Sequence, residues 1–190
     1  MADKFCFEET SISGLIKIRP FFAPDERGFF SKVFEKEIFR ENGIQMEPFE
    51  ELQSYSHKGV IRGLHFQHNH SQDKLVRVLN GKVFDVAVDL RSNSYTFGKW
   101  QGFYLSAENR EMLYIPKGFA HGFLAMEENT LFSYICGDCY DPKSEDGILW
   151  NDKEIDVKWP LDNIDKVIIS KKDQKLQTFC QFKTIYNALV

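Results

Sequence analysis

The dipeptide Asn80-Gly81 is the feature of this sequence that most restricts the fold, because it stands between two strand-like runs. Asn-Gly favours the two-residue turns of β-hairpins, whose backbone needs positive φ values. The run before it covers 74–79, and the run after it covers 82–90. In the second run, apolar residues at even positions alternate with Asp85, Ala87 and Asp89, as in a half-buried strand. The sequence therefore predicts an antiparallel hairpin over 74–90.

Short strand-like runs separated by turn residues continue on both sides of this hairpin. Their spacing is typical of antiparallel sandwiches, and they cover 27–34, 49–56, 60–67, 100–106, 111–115, 121–126 and 131–136. Helical patterns are confined to 35–42 and to the tail after Asp173. The 18 phenylalanines also favour strands and aromatic-lined pockets. These patterns predict an all-β fold, a jelly-roll β-sandwich with short peripheral helices.

The 190 residues contain no repeat, low-complexity tract or linker, so we expect one domain over 1–190. Its core should cover about 10–173 and be followed by a tail over 174–190. The tail carries apolar residues at a partly helical spacing, which predicts a helix that packs on the body or on a partner subunit. These residues are Leu176, Phe179, Cys180, Phe182 and Ile185.

Charge and hydropathy exclude two classes of partner. The 24 Lys and Arg residues are interspersed with 28 Asp and Glu residues, which gives a net charge of -4 and no basic face for nucleic acid or an anionic membrane. The chain has no run of 18 apolar residues, which a membrane span needs. The N-terminal segment 1–5 also lacks the apolar stretch of a signal peptide. We therefore expect a cytoplasmic protein with no nucleic-acid or membrane partner.

Four of the five histidines fall within two short segments, 62–70 and 115–123. The spacing of His68, His70 and His121 resembles the two metal-binding motifs of the cupins, a jelly-roll family. However, Lys74 stands where that pattern has its carboxylate ligand, and an ammonium repels a divalent cation instead of binding it. We therefore expect no metal, and a metal-dependent cupin enzyme remains the alternative.

Cys136 and Cys139 form a C-x-x-C pair. A redox pair of this type belongs at a strand-to-helix junction, and a zinc site needs a second pair of ligands. Here the pair ends a strand-like run and is followed by Asp141-Pro142. We therefore expect these thiols to have no catalytic or metal-binding role, and four cysteines are too few for a disulfide framework.

Nearly the whole chain resembles the dTDP-4-dehydrorhamnose 3,5-epimerases, which are cupin-like jelly rolls that work without metal. The resemblance rests on the segments 25–30, 60–67, 74–77, 81–91, 96–98, 105–109, 115–123 and 147–152. It implies a homodimer that uses no cofactor. It also implies a nucleotide-sugar substrate, epimerised at the carbons beside its 4-keto group on the route to dTDP-rhamnose and cell-surface polysaccharide.

This chemistry needs a base on one face of the sugar and an acid on the other. His65 is the natural base, because an imidazole with the ordinary pKa of about 6.5 is mostly neutral at pH 7. The resemblance adds Asp173 as the carboxylate that orients this ring and Tyr134 as the proton donor. Lys74 then has a role as a fixed positive charge that stabilises the enolate oxygen.

The resemblance also implies a set of substrate-binding residues. Arg27 and Arg62 match positions that hold the diphosphate or the sugar, and Tyr140 matches an aromatic residue that stacks on the base. His121 and Glu145 match further ligand contacts. Arg62 and His65 lie three residues apart and would face opposite sides of a regular strand, so we predict a β-bulge at Gly63.

The sequence departs from the family where the base is recognised. Lys32 replaces an acidic residue that reads the thymine edge, and Glu50 and Leu52 stand where the family has Gln-x-Asn. A shift of one residue would instead bring Gln53 into this role. We expect dTDP to be the nucleotide of the sugar substrate. The alternatives are another nucleotide such as CDP, epimerisation at one carbon only, or a sugar-binding jelly roll without catalysis.

Overall fold

The computed structural model describes residues 4–187 and is a jelly-roll β-sandwich with two short helices, so the predicted fold class is confirmed. In chain order the strands are β1 (Cys6–Glu9), β2 (Ile16–Arg19), β3 (Phe21–Asp25), β4 (Gly28–Lys32), β5 (Glu50–Ser56), β6 (Val60–Gln67), β7 (Lys74–Asn80), β8 (Lys82–Asp89), β9 (Trp100–Ser106), β10 (Met112–Ile115), β11 (Phe119–Ala125), β12 (Thr130–Cys136), β13 (Glu145–Gly147) and β14 (Ile168–Ile169). The helices are α1 (Lys36–Glu41) and α2 (Phe179–Asn187).

Two large sheets face each other. The first has the strand order β1-β2-β10-β7-β12-β5, and the second has the order β13-β6-β11-β8-β9, with β14 pairing with β6. Buried side chains from both sheets fill the space between them, among them Val76, Phe123 and Phe132. Strands β3 and β4 form a separate two-stranded sheet.

The predicted hairpin over 74–90 is wrong, because the turn at Asn80-Gly81 leads from one sheet to the other. Strand β7 pairs with β10 and β12, whereas β8 pairs with β11 and β9. The Asn80 side chain donates a 2.7 Å hydrogen bond to the Asn129 carbonyl. A Cβ on Gly81 would lie 2.6 Å from the hydroxyl oxygen of Thr130. The tight turn therefore forms as predicted, but it connects strands of different sheets. In this arrangement both β7 and β8 bury side chains in the core between the two sheets.

The prediction that β8 is half-buried is also wrong, since both of its faces are covered. Val83 and Ala87 face the interior between the sheets, and the apolar residues on the other face pack under the segment that follows β13. The aspartates are buried but have partners: Asp85 pairs with His121, and Asp89 pairs with Arg91. Alternation of polar and apolar residues therefore identified the strand but not the second layer above it.

The ends of the chain limit two predictions. The segment 1–3, part of the N-terminus that lacks a signal peptide, lies outside the described residues, as does the end of the predicted tail at 188–190. No helix within the described residues is long and apolar enough to cross a membrane.

Candidate active site

A cavity of about 720 Å³ lies between β5, β7 and β12 of the first sheet and β6 and β14 of the second. It brings together most of the predicted site residues, which are separated widely along the chain. Those lining it are Gln53, Arg62, His65, Lys74, Tyr134, Tyr140, Glu145 and Asp173.

His65 and Asp173 form a hydrogen-bonded dyad in this cavity, with 2.9 Å between His65 Nε2 and Asp173 Oδ1. Asp173 lies in a 3₁₀ turn, where the Gly63 backbone N–H donates to its second carboxylate oxygen at 3.4 Å. Burial opposes ionisation of this carboxyl group, but the hydrogen bonds from His65 and Gly63 outweigh burial and lower the pKa of Asp173. An ionised Asp173 can therefore hold the His65 ring in one orientation.

The predicted β-bulge at Gly63 is confirmed by the strand register. Arg62 and His65 are three residues apart on β6, yet their partners on β11, Phe123 and His121, are only two apart. Gly63 has a φ of 115°, and a Cβ there would lie 2.6 Å from the Cα of Gly122. The extra residue turns both Arg62 and His65 towards the cavity.

Lys74 contributes a positive charge to the cavity wall. Within residues 4–187, no carboxylate lies within 4.0 Å of its ammonium nitrogen. Burial lowers the pKa of Lys74, although the charges of Glu145 and Asp85 and the Cys136 thiol oppose this shift. A partly buried cation without an ion-pair partner can stabilise negative charge that develops on a bound molecule.

Tyr134 presents a phenol to the same cavity. Its oxygen lies 3.2 Å from Ser54 Oγ, and its ring packs edge-on against Phe132. Burial raises the pKa of Tyr134, which keeps the phenol protonated at neutral pH. The side chain can therefore donate a proton or a hydrogen bond.

Tyr140 and Glu145 meet at the edge of the cavity, where the Tyr140 hydroxyl donates a 2.5 Å hydrogen bond to Glu145 Oε2. Lys172 forms an ion pair with the same carboxylate oxygen and also lines the cavity. Lys172 and Ser54 are not among the site residues that the sequence predicts. Lys172 could have been found from its position beside Asp173, whereas the contact between Ser54 and Tyr134 depends on strand register.

Three of the predicted binding residues lie outside the cavity lining. Arg27 is 84% exposed and pairs with Asp25, and Lys32 pairs with Glu35. Both lie on the β3–β4 arm, which we define as residues 21–32 and which pairs with neither large sheet. His121 is buried under the cavity wall, where its Nε2 lies 2.9 Å from Asp85 Oδ2. The structure of a single chain therefore does not support the predicted contacts of these three residues with a substrate in the cavity.

The residues expected to read the base are also rearranged. Glu50 accepts a 3.1 Å hydrogen bond from Gln72, while Leu52 lines the cavity and is 41% exposed. Gln53 follows Leu52 on β5 and lines the same cavity. This wall therefore combines the apolar side chain of Leu52 with the amides of Gln53 and Gln72, and Glu50 contacts it only through Gln72.

The cupin-type metal site does not fit this structure. His68 pairs with Asp146, His70 with Asp138 and His121 with Asp85, so the three histidines contact three different carboxylates. Among the described residues, they do not form a common cluster of metal-binding atoms.

Comparison with known proteins shows which family the chain matches. The family model for dTDP-4-dehydrorhamnose 3,5-epimerase matches residues 9–181. The dTDP-4-dehydrorhamnose 3,5-epimerase of Methanothermobacter thermautotrophicus is 48% identical over 90% of this chain and 92% of its own.

Two solved structures are also similar to this chain. The Legionella pneumophila dTDP-6-deoxy-D-glucose-3,5-epimerase in complex with dTDP-4-keto-L-rhamnose has a TM-score of 0.91 and 42% identity over 96% of each chain. The Bacillus anthracis dTDP-4-dehydrorhamnose 3,5-epimerase with TDP and PPi bound has a TM-score of 0.88 and 38% identity, and the match covers 92% of this chain and 99% of that one. With the family model matching most of its length, this chain belongs to the dTDP-4-dehydrorhamnose 3,5-epimerase family.

Proposed function

We propose that this protein epimerises a nucleotide-linked 4-keto-6-deoxyhexose, converting dTDP-4-dehydro-6-deoxy-D-glucose to dTDP-4-dehydro-L-rhamnose. The observation that carries this proposal is the arrangement of the His65–Asp173 dyad, the unpaired Lys74 ammonium and the Tyr134 phenol around one cavity. These groups supply a base, a charge for an enolate and an acid, which are the three parts that inversion beside a ketone requires.

The chemistry follows from the acidity of C–H bonds next to a carbonyl. His65, held by ionised Asp173, takes the proton from the carbon, and the electron pair moves onto the ketone oxygen. Lys74 stabilises the resulting enolate, because its charge acts in a partly dry cavity. Tyr134 then gives a proton to the opposite face of the carbon, which inverts the centre. Solvent restores the protonation states of His65 and Tyr134.

Solvent isotope exchange tests this assignment directly. In deuterated water we expect deuterium at C3 and C5 of the product, and we expect His65→Asn to lose this exchange by about 10²-fold or more. His57→Asn is the matched control, because His57 is an exposed histidine that pairs with Glu128 away from the cavity lining. Normal exchange by His65→Asn would contradict the role of His65. Deuterium at one carbon only would instead favour a single-carbon epimerase.

We propose that the nucleotide part of the substrate is thymidine diphosphate. Arg62 and Lys172 offer positive charge at the cavity, and Tyr140 offers a ring half-exposed at its edge. The test compares kcat/KM for dTDP-, UDP- and CDP-linked 4-keto-6-deoxyglucose. A tenfold preference for a non-thymidine sugar would contradict the dTDP assignment and would point to the altered start of β5 at Glu50, Leu52 and Gln53.

We further propose that the protein is a homodimer in which the β3–β4 arm of one subunit serves the cavity of the other. Phe29 and Phe30 of the arm are 67% and 63% exposed, an uncommon state for two adjacent phenylalanines. A partner surface would cover them and would also bring Arg27 and Lys32 to a cavity that they do not reach in their own chain. A mass of 22.2 kDa in solution at all concentrations would contradict this proposal.

A further inference from the structure

Three side chains that commonly bind metals meet at a place the proposed reaction does not use. His70 comes from the loop between β6 and β7, and Asp138 and Cys139 come from the loop between β12 and β13. One donor atom from each lies within 4.8 Å of the other two. In the fold, Cys139 alone of the C-x-x-C pair joins this group, with Asp138 from its own loop and His70 from the other.

The spacing of two of these donor atoms matches a small tetrahedral ion. His70 Nδ1 and Asp138 Oδ1 lie 3.3 Å apart. Two ligands that are each about 2.1 Å from a tetrahedral zinc ion lie roughly 3.3 to 3.4 Å apart, and a sulfur at about 2.3 Å lies roughly 3.6 Å from them. Because the three donor atoms lie within 4.8 Å of one another, Cys139 Sγ is at most about 1.2 Å farther from the other two than in such a site.

The backbone around all three residues is fixed by two glutamines. Gln67 Nε2 donates hydrogen bonds of 2.7 Å to the His70 carbonyl and 3.0 Å to the Cys139 carbonyl. Gln72 Nε2 donates a 2.7 Å hydrogen bond to the Asp138 carbonyl. These bonds join the two loops, so the backbones that carry the three donor side chains are held together by the protein.

The local charge also favours a cation. The Asp138 carboxylate is held beside Cys139, because the Cys139 backbone N–H donates a 2.8 Å hydrogen bond to Asp138 Oδ1. A divalent cation next to this carboxylate would stabilise the Cys139 thiolate as a ligand. Cys136, the other member of the pair, is buried and faces the cavity, so it is not part of this cluster.

We propose that His70, Asp138 and Cys139 bind one zinc ion, with water in the fourth position. The mixed nitrogen, oxygen and sulfur donors suit zinc better than magnesium or calcium, which prefer oxygen ligands alone. The ion would tie together the two loops at the edge of the cavity, beside Tyr140. This inference does not depend on the proposed epimerase activity.

Titration of the metal-free protein with Co²⁺ and Zn²⁺ tests the site. We expect one equivalent of Co²⁺ to bind with a thiolate-to-cobalt charge-transfer absorption band, and we expect Zn²⁺ to displace it and to raise the Tm. Cys139→Ser should lose the band, and both Cys139→Ser and His70→Asn should weaken Zn²⁺ binding at least tenfold. The matched controls are Cys180→Ser and His57→Asn, which change an exposed thiol and an exposed imidazole elsewhere.

Two results would overturn the proposal. One is wild-type protein that binds Zn²⁺ more weakly than about 100 μM. The other is a charge-transfer band that persists in Cys139→Ser or disappears equally in Cys180→Ser. Because the variants lie on partly exposed loops, retention of the wild-type circular dichroism spectrum separates loss of binding from loss of folding.

Discussion

At the residue scale, Lys74 shows a conflict between stability and the proposed chemistry. Its ammonium is partly buried without an ion-pair carboxylate among residues 4–187, and burial lowers its pKa below the ordinary 10.5. The folded state therefore binds this proton less tightly than the unfolded chain does. As the pH falls below 10.5, the unfolded chain takes up this proton before the folded protein does, so the free energy of unfolding decreases. The decrease ends when Lys74 is protonated in the folded protein as well, and the lower free energy of unfolding persists at pH 7.

Lys74→Met should therefore separate stability from activity. We expect kcat/KM to fall by about 10²- to 10³-fold, because the enolate loses its charge partner. We also expect the free energy of unfolding at pH 7 to rise by about 1 kcal/mol, since a buried charge is replaced by an apolar chain of similar size. Urea denaturation and steady-state kinetics measure the two effects. A variant that is both inactive and less stable would show that Lys74 has a structural role instead.

The same shift predicts the alkaline side of the pH profile. Only protonated Lys74 can stabilise an enolate, and its pKa is lowered by burial. Activity should therefore decline at a lower pH than 10.5, the ordinary value for lysine. The measurement compares the pH dependence of activity in wild type and in Lys74→Met. If the residual activity of the variant declines over the same pH range as that of wild type, a group other than Lys74 causes the decline.

At the element scale, the bulge in β6 brings the predicted base to the cavity. It could be predicted from sequence because two residues needed on one face were three apart with a glycine between them. Pairing of strands was harder to predict. Asn80-Gly81 fits a tight turn in either arrangement, and only contacts between distant strands decide whether β7 and β8 pair or separate into two sheets. The dyad depended similarly on Asp173, more than 100 residues away, which only the family resemblance could supply.

Gly63→Ala should disturb this bulge. The added Cβ would lie 2.6 Å from both the Gly122 Cα and the His121 carbonyl oxygen, and the φ of 115° is unfavourable for alanine. We expect a loss of stability of about 2 to 4 kcal/mol together with a lower kcat, as His65 shifts from Asp173. Gly43→Ala is the matched control, because Gly43 has a φ of 82° but nothing within 4 Å of its added Cβ. Equal losses in both variants would mean that backbone strain alone explains the effect.

Helix α2 stabilises the second sheet and is expected to have little part in the chemistry. Phe179 and Phe182 are buried in the cluster that covers the outer face of β8. Phe182→Ala should lower the free energy of unfolding by about 3 kcal/mol with kcat nearly unchanged. Ile185→Ala, at a half-exposed position on the same helix, should change it by less than about 0.5 kcal/mol. A large fall in kcat without a fall in Tm would show that α2 acts on the cavity.

At the scale of the whole molecule, the residues that we propose for catalysis and substrate binding lie in two separate places. The cavity holds the dyad, Lys74 and Tyr134, whereas Arg27 and Lys32 lie on the β3–β4 arm. The sequence could not predict this separation, because motif spacing carries no information on which copy of the chain a segment contacts. The exposed phenylalanines of the arm give the physical reason to expect a second copy.

Complementation between inactive variants tests that expectation. His65→Asn removes the base from the cavity but keeps the arm, and Arg27→Ala alters the arm but keeps the cavity. If the arm acts on the partner, a mixed dimer has one cavity with an intact base that receives an intact arm. Equal co-expression with random pairing should then restore about one quarter of the wild-type sites. If Arg27 serves its own cavity, or does not contact the substrate, the mixture will show only the average of the two separate variants.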